Sequence, residues 1–247
     1  MRCDNMDENK DAALARRLLR GAATASLATW LPKDAGTPYV SLSTVACDLD
    51  ATPLLLMSDL AEHSRNVAAD SRASLLFCDS GQRQDPLAGP RLTAMGRLVR
   101  SFDARQRRRF LARHPAAARY ADFGDFALYR LDLKEAHLVA GFGKVAWFDA
   151  DALLLANGDG LETDEEGLVI ELNSRPAAEL SDLVGRQPER EPWQVTGCDT
   201  EGIDLRAGGQ TARHDFRRPL AGAVAIRRAL RRFRKKKSRS GVRQIAP

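Results

Sequence analysis

PYVSLSTVACDLDATPLLLMSDLAEHSRNVAADSRASLLF, residues 38–77, reads as strand, strand, helix, strand. Tyr39–Ala46, Pro53–Ser58 and Ala73–Cys78 are short apolar or alternating segments set apart by Asp and Pro, the punctuation of strands joined by turns. Ala61–Asp70, between the second and third of them, lacks Gly and Pro and follows Ser58 and Asp59, either of which can cap a helix. Upstream, Thr24–Thr29 adds another strand. Before it, Asp11–Arg20 spaces Leu14, Leu18 and Leu19 at helical intervals among arginines. Downstream, Arg91–Val99 and Phe126–Val139 continue the series, and the latter mixes Leu128, Leu131 and Leu133 with Arg130, Asp132 and Lys134, as a strand with one wet side does. Asp103 can cap a helix over Ala104–Arg113, which stops at His114 because Pro115 disfavours the helical conformation before it. Six strands with one helix between the third and fourth describe a barrel-like α+β arrangement, not an alternating β/α fold.

Asn157-Gly158-Asp159-Gly160 is a turn signal and sets the expected boundary: a barrel domain over 1–156, a small α/β module over 161–235 and a basic tail over 236–247. In the module, Glu165–Val184 reads as one acidic helix-like stretch, and Trp193–Cys198 with Gly202–Arg206 as a hairpin. Ile226, Leu230 and Phe233 form the apolar stripe of a final helix. Arg227–Arg243 holds ten basic residues and no acid, against a net charge of +5 for the whole chain, so the rest is net negative at −5. Such a tail suits a polyanion or an acidic partner, or simply water. No apolar run is long enough to span a bilayer, and the first twenty residues show no secretory pattern. Cys3, Cys47, Cys78 and Cys198 are scattered, as reduced thiols are. The expectation is a cytoplasmic protein without a zinc site.

Residues 38–77 resemble the first half of the split β-barrel family that includes pyridoxamine-phosphate oxidase. DPLAGPRLTAMGRL, FLARHPAAARYADFGDFALYRLDL and AHLVAGFGKVAWF are similar to one branch of it, the haem-utilisation proteins and their bacterial relatives. VTGCDTEGIDLRAGGQTARHDFRRPLAGAVAIRRAL is similar to the small module that follows the barrel in that branch. The resemblance implies a six-stranded split β-barrel with flanking helices, a C-terminal α/β module, and a homodimer that holds FMN or a related ligand between two barrels. It places the FMN phosphate at the third strand and the helix after it, where this chain supplies Ser58, His63, Ser64, Arg65 and Asn66. Hydroxyls, a guanidinium and helix-start N–H groups suit a phosphate. Ser41 and Ser43, two apart on one strand face, could line the same cleft.

The departures also carry weight. Where pyridoxamine-phosphate oxidases have an Arg-Lys pair, this chain has Glu62 and His63, and a carboxylate repels a phosphate. Arg243–Pro247 echoes the oxidase's terminal motif without its aromatic context. Pyridoxamine-phosphate oxidation is therefore excluded, and FMN is expected to be weakly held or lost. Relatives open the module with a His-Met-Asn-x-Asp-His signature; here Glu171-Leu-Asn-Ser-Arg-Pro176 keeps only Asn173.

No two histidines stand at metal-ligand spacing. His63 or His214 could ligate iron if haem binds, His114 suits a helix C-cap, and His137 suits a strand. Gly141-Phe-Gly-Lys144 and Asp122-Phe-Gly-Asp125 lack the spacing and company of nucleotide or kinase motifs. Arg105–Arg109 reads as a solvated helix face. No catalytic acid or base can be named. Two functions stay open: a dimeric flavin- or haem-dependent oxidoreductase of unknown substrate, or a non-catalytic binding or regulatory protein that has lost the cofactor.

Overall fold

The computed structural model describes residues 4–32, 36–78, 85–141, 143–155 and 160–241, with side chains between 9 and 231, Pro86 aside. They form two compact units, Met1–Leu155 and Ala156–Pro247.

The first unit runs α1 (Asp4–Gly21), β1 (Thr24–Leu31), β2 (Thr37–Thr44), β3 (Ala46–Cys47), β4 (Pro53–Ser58), α2 (Glu62–Ala69), β5 (Arg72–Cys78), β6 (Arg91–Arg100), α3 (Ala104–Arg113), β7 (Phe126–Gly141), β8 (Lys144–Asp149) and α4 (Ala150–Leu153). All eight strands share one antiparallel sheet, ordered β2-β1-β5-β6-β7-β4-β3, with β8 paired to β7. The six expected strands are present; β3 and β8 are the additions. Alternation directs one set of side chains inward: Ala25 and Leu27, Ala73, Leu75 and Phe77, Leu92 and Ala94 are all buried. Ala15, Leu18 and Leu19 of α1 join this core.

On β7 the buried positions change parity, from Leu131 and Leu133 to Ala136 and Leu138. The cause is a bulge: Met95 pairs with Glu135 and Gly96 with Leu133, so Lys134 is the extra residue.

The arginines of α3 correct the expectation of a solvated face. Arg109 and Arg113 are buried. Arg109 Nε donates to the Cys47 carbonyl at 3.1 Å, and Arg113 Nη2 to those of Gly21 and Ala22 at 2.8 and 3.2 Å, closing the C-terminal end of α1. Arg105 pairs with buried Asp48, which also accepts from Gln106 at 2.6 Å. Burial pushes the Asp48 carboxyl up, but these donors and the Leu49 amide outweigh it and hold the pKa below 3.8. Arg107, bonded to exposed Asp122 at 2.6 Å, does face water.

The second unit holds α5 (Leu161–Asn173), α6 (Ala177–Val184), β9 (Gln194–Asp199), β10 (Gly202–Ala207), β11 (Gln210–Asp215) and α7 (Gly222–Gly241). Its sheet is antiparallel, β11-β10-β9. The expected single helix over Glu165–Val184 is two helices, because Pro176 has no N–H for a continuing turn. The expected hairpin gains a third strand. Asn173 clamps α5 to β9, donating to the Val195 carbonyl at 2.9 Å and accepting from its N–H at 2.7 Å. Ile226 and Leu230 of α7 are buried as expected, while the side chains of 232–241 and all of 242–247 lie outside the described residues. Most of the basic tail belongs there.

Candidate functional site

The site is built where β4 turns into α2. Ser58, last in β4, donates to Asp125 Oδ2 at 2.5 Å and accepts from the Leu60 N–H at 3.1 Å. It shapes the turn and does not cap the helix; the N-cap position is Ala61, in extended conformation with no side-chain cap bond. Asp59 does not cap it either, because its carboxylate faces Arg100. Uncapped N–H groups and the positive end of the helix dipole thus remain at the start of α2.

From this helix, side chains reach two ways. Asn66, fully buried, donates from Nδ2 to Thr29 Oγ1 at 3.0 Å and ties α2 to β1. His63 Nδ1 lies 3.1 Å from Ser41 Oγ on β2. Burial disfavours the charged imidazole and lowers the pKa of His63, so at neutral pH the ring is uncharged. Ser43, buried further along β2, is 3.5 Å from the Thr44 carbonyl.

Beside α2 lies a cleft of about 450 Å³ bounded by Asp59, Ser64, Arg65, Leu98, Arg100 and Tyr129. Ser64 Oγ is buried there with no hydrogen-bond partner. Arg100 donates to both carboxylate oxygens of Asp59, at 2.7 and 3.0 Å, and to Tyr129 Oη at 3.0 Å. Arg65 faces Glu62 at 3.6 Å across an exposed pair. The arrangement can hold a small acidic group: two arginines and a serine with an unused hydroxyl line the cleft, but each guanidinium already has a carboxylate, so an incoming anion competes.

Of the seven residues expected from sequence, the cleft gathers Ser64 and Arg65. Ser41 and His63 meet each other, Ser58 and Asn66 hold the local frame, and Ser43 stands apart. Sequence reasoning missed Arg100, Asp59 and Tyr129. Tyr129 and Arg100 are cross-strand partners of β6 and β7, a pairing that no local motif announces.

The remaining imidazoles lie elsewhere. His114 occupies the C-cap of α3, its backbone N–H bonded to the Phe110 carbonyl at 2.9 Å, and its Nε2 donates to the Val45 carbonyl at 2.8 Å. His137 stacks on Trp147 with centroids 4.5 Å apart. His214 Nδ1 donates to the Leu183 carbonyl at 2.9 Å. Phe142 of the Gly-Phe-Gly segment lies outside the described residues. No cluster of three or more potential metal ligands occurs among the described residues, and no helix there is long and apolar enough to cross a membrane.

A curled antiparallel sheet with one helix between β4 and β5 and a small module after it defines a split β-barrel of the pyridoxamine-phosphate-oxidase-like class. The chain belongs to the family described as CREG, beta-barrel, whose model matches residues 6–154. Among curated proteins it is similar to "Non-canonical heme oxygenase HOZ, chloroplastic" of Arabidopsis thaliana, 34% identical over 129 residues, or 51% of this chain and 39% of that protein. The match thus spans well under half of the relative's length. Among solved structures, a protein of unknown function from Agrobacterium tumefaciens str. C58 superposes with a TM-score of 0.77 at 29% identity, covering 90% of this chain and 94% of the other. A heme binding protein from Mycobacterium smegmatis gives 0.56 at 27%, covering 93% and 98%.

Proposed function

We propose that this chain is a haem-handling split-barrel protein that holds the acidic edge of its ligand in the cleft beside α2. The observation that carries the reading is the buried Ser64 hydroxyl without a partner, on a residue that lines the same cleft as Arg65 and Arg100. A buried hydroxyl left unbonded costs about 1–3 kcal/mol, and a bound acid relieves that cost. The residues fit haem in kind: Ser64, Arg65 and Arg100 for a propionate, and His63, neutral by burial, as the imidazole for iron, whereas His214 belongs to the other unit. The names of two relatives, one a heme oxygenase and one a heme binding protein, support the same ligand. When bound, haem supplies an iron centre whose pocket decides between oxygen activation and simple binding. The protein's own part is to hold the carboxylates and to keep His63 unprotonated. Glu62 and Asp59 already face these guanidiniums and oppose any anion, and the phosphate of FMN, with more charge than a propionate, meets the stronger repulsion.

Those two ion pairs favour a second reading, a binding or regulatory protein without catalysis. In either case we propose a cytoplasmic homodimer with separate domains over 1–156 and 161–235, and a basic tail over 236–247 that meets a polyanion or an acidic partner. Titrations with haem and with FMN test the cleft. Arg65→Ala should weaken both several-fold, and Glu62→Arg should tighten FMN by up to about tenfold, the equivalent of roughly 1.4 kcal/mol. Unchanged affinities in both variants, or nanomolar FMN binding by the wild type, would place the ligand elsewhere.

A further inference from the structure

The second unit carries a groove that the barrel cleft does not involve. Between the segment leaving β11 and the first turns of α7 lies an open groove of about 1080 Å³. Its apolar wall includes Phe216, Leu220, Val224 and Ala225. Helix α7 buries Ile226 and Leu230 in its own unit, yet leaves Val224 76% exposed into this groove. His214 stands on the wall, fixed by its bond to the Leu183 carbonyl.

Charge sets the kind of occupant. Arg217, Arg218 and Arg228 border the groove, are exposed, and have no hydrogen-bond or ion-pair partner among the described residues. Three other arginines of the unit are engaged: Arg213 with Asp199 at 2.8 Å, Arg227 with Glu171 at 2.6 Å, Arg175 with Glu171 at 3.6 Å. Among the described lining residues the carboxylate is Asp215, held by Arg213 at 2.9 Å. The groove thus presents an apolar surface bordered by positive charge that no ion pair among the described residues of the unit neutralises. A purely apolar ligand would leave the guanidiniums unused, and a small anion would leave the apolar wall wet. The complement is a broad apolar body with more than one carboxylate on an edge, because guanidinium forks take carboxylates in bidentate fashion.

We propose that this groove binds a tetrapyrrole dicarboxylate, with its macrocycle on Phe216, Leu220 and Val224 and its carboxylates on Arg217, Arg218 and Arg228. The assignment rests on the haem reading and extends it to a second site, in the other unit. Haem or its metal-free and degraded relatives share the required chemistry, so iron is not needed for binding.

The test uses the full chain and metal-free protoporphyrin IX, followed by porphyrin fluorescence, with haem titrated in parallel by absorbance. Arg217→Ala/Arg218→Ala and Val224→Asp change exposed residues, so both proteins should melt as the wild type does. Each should weaken porphyrin binding by about tenfold or more. Arg65→Ala in the barrel should leave this site untouched. The porphyrin dimethyl ester should bind the wild type no better than the free acid binds the double variant, and palmitate should not displace the porphyrin. Unchanged porphyrin affinity in both groove variants, with haem still bound by the wild type, overturns the groove assignment and leaves the barrel reading standing. Displacement by equimolar palmitate gives the groove to acyl chains and also overturns it. A wild type that binds neither porphyrin nor haem removes both.

Discussion

Arg213, with 7% of its side chain exposed, sits among three carboxylates: Asp199 at 2.8 Å, Asp204 at 2.9 Å and Asp215 at 2.9 Å. Burial works against its charge, but Asp199 and Asp204 outweigh that and hold the guanidinium's pKa well above the ordinary value. Asp199 is fully buried and also caps the β9–β10 turn, accepting from the N–H groups of Glu201 and Gly202 at 2.8 and 3.1 Å. Removing the arginine would strand these charges away from water. Arg213→Ala should cost the second unit about 3–5 kcal/mol, the usual penalty for breaking a buried pair, out of a typical domain stability of about 5–15 kcal/mol. Calorimetry of the full chain should show that unit's transition lowered or lost while the barrel's persists. An unchanged thermogram would mean that Arg213 is not the keystone of this sheet. Nothing local in the sequence singles out Arg213, because its three partners come from two other strands and its own.

At the scale of elements, the β6–β7 pair shows what a linear pattern hides. The alternation along β7 looked regular, yet Lys134 is an extra residue that flips the inward face from odd to even positions. The bulge needs room on the partner strand, and Gly96 supplies it. A Cβ there would lie 2.1 Å from the Asp132 carbonyl oxygen and 3.0 Å from Leu133 Cα. Backbone cannot yield as a flexible side chain can. Gly96→Ala should therefore destabilise the barrel by about 2 kcal/mol or more, lowering the urea midpoint with little change in slope. A midpoint equal to that of the wild type would show that the bulge relaxes at no cost. The six long strands, α2 and the final helix were legible because each carries its own periodicity. The arginines of α3 were misread because carbonyls of Cys47, Gly21 and Ala22, all distant in sequence, accept from them. The candidate site was half legible for the same reason: Ser64 and Arg65 are adjacent in the chain, whereas Arg100 and Tyr129 reach the cleft through strand pairing.

For the molecule as a whole, the outer face of the sheet is the feature that most needs a partner. Strand registers place Leu42, Ser26, Leu76, Thr93, His137 and Trp147 in one row across six strands. Leu42 and Trp147 are 72% and 61% exposed, and Val40 and Val145, on the same strands, are 62% and 60% exposed. Exposed apolar side chains in numbers on one sheet are candidates for an interface. The proposed homodimer would press the same face of two copies together. Sedimentation at micromolar concentration should give a dimer for the wild type and a monomer for Leu42→Glu/Trp147→Glu. A wild-type monomer would leave this face to some other partner.

The haem reading meets its most direct test in the absorption spectrum of the 247-residue chain, as purified and after stepwise addition of haem. The prediction is no flavin bands as purified, then a shifted, saturable Soret band that reaches an end point at a small whole-number ratio of haem to chain. A spectrum that stays that of free haem throughout the titration, or a protein that emerges yellow with stoichiometric flavin, would contradict it.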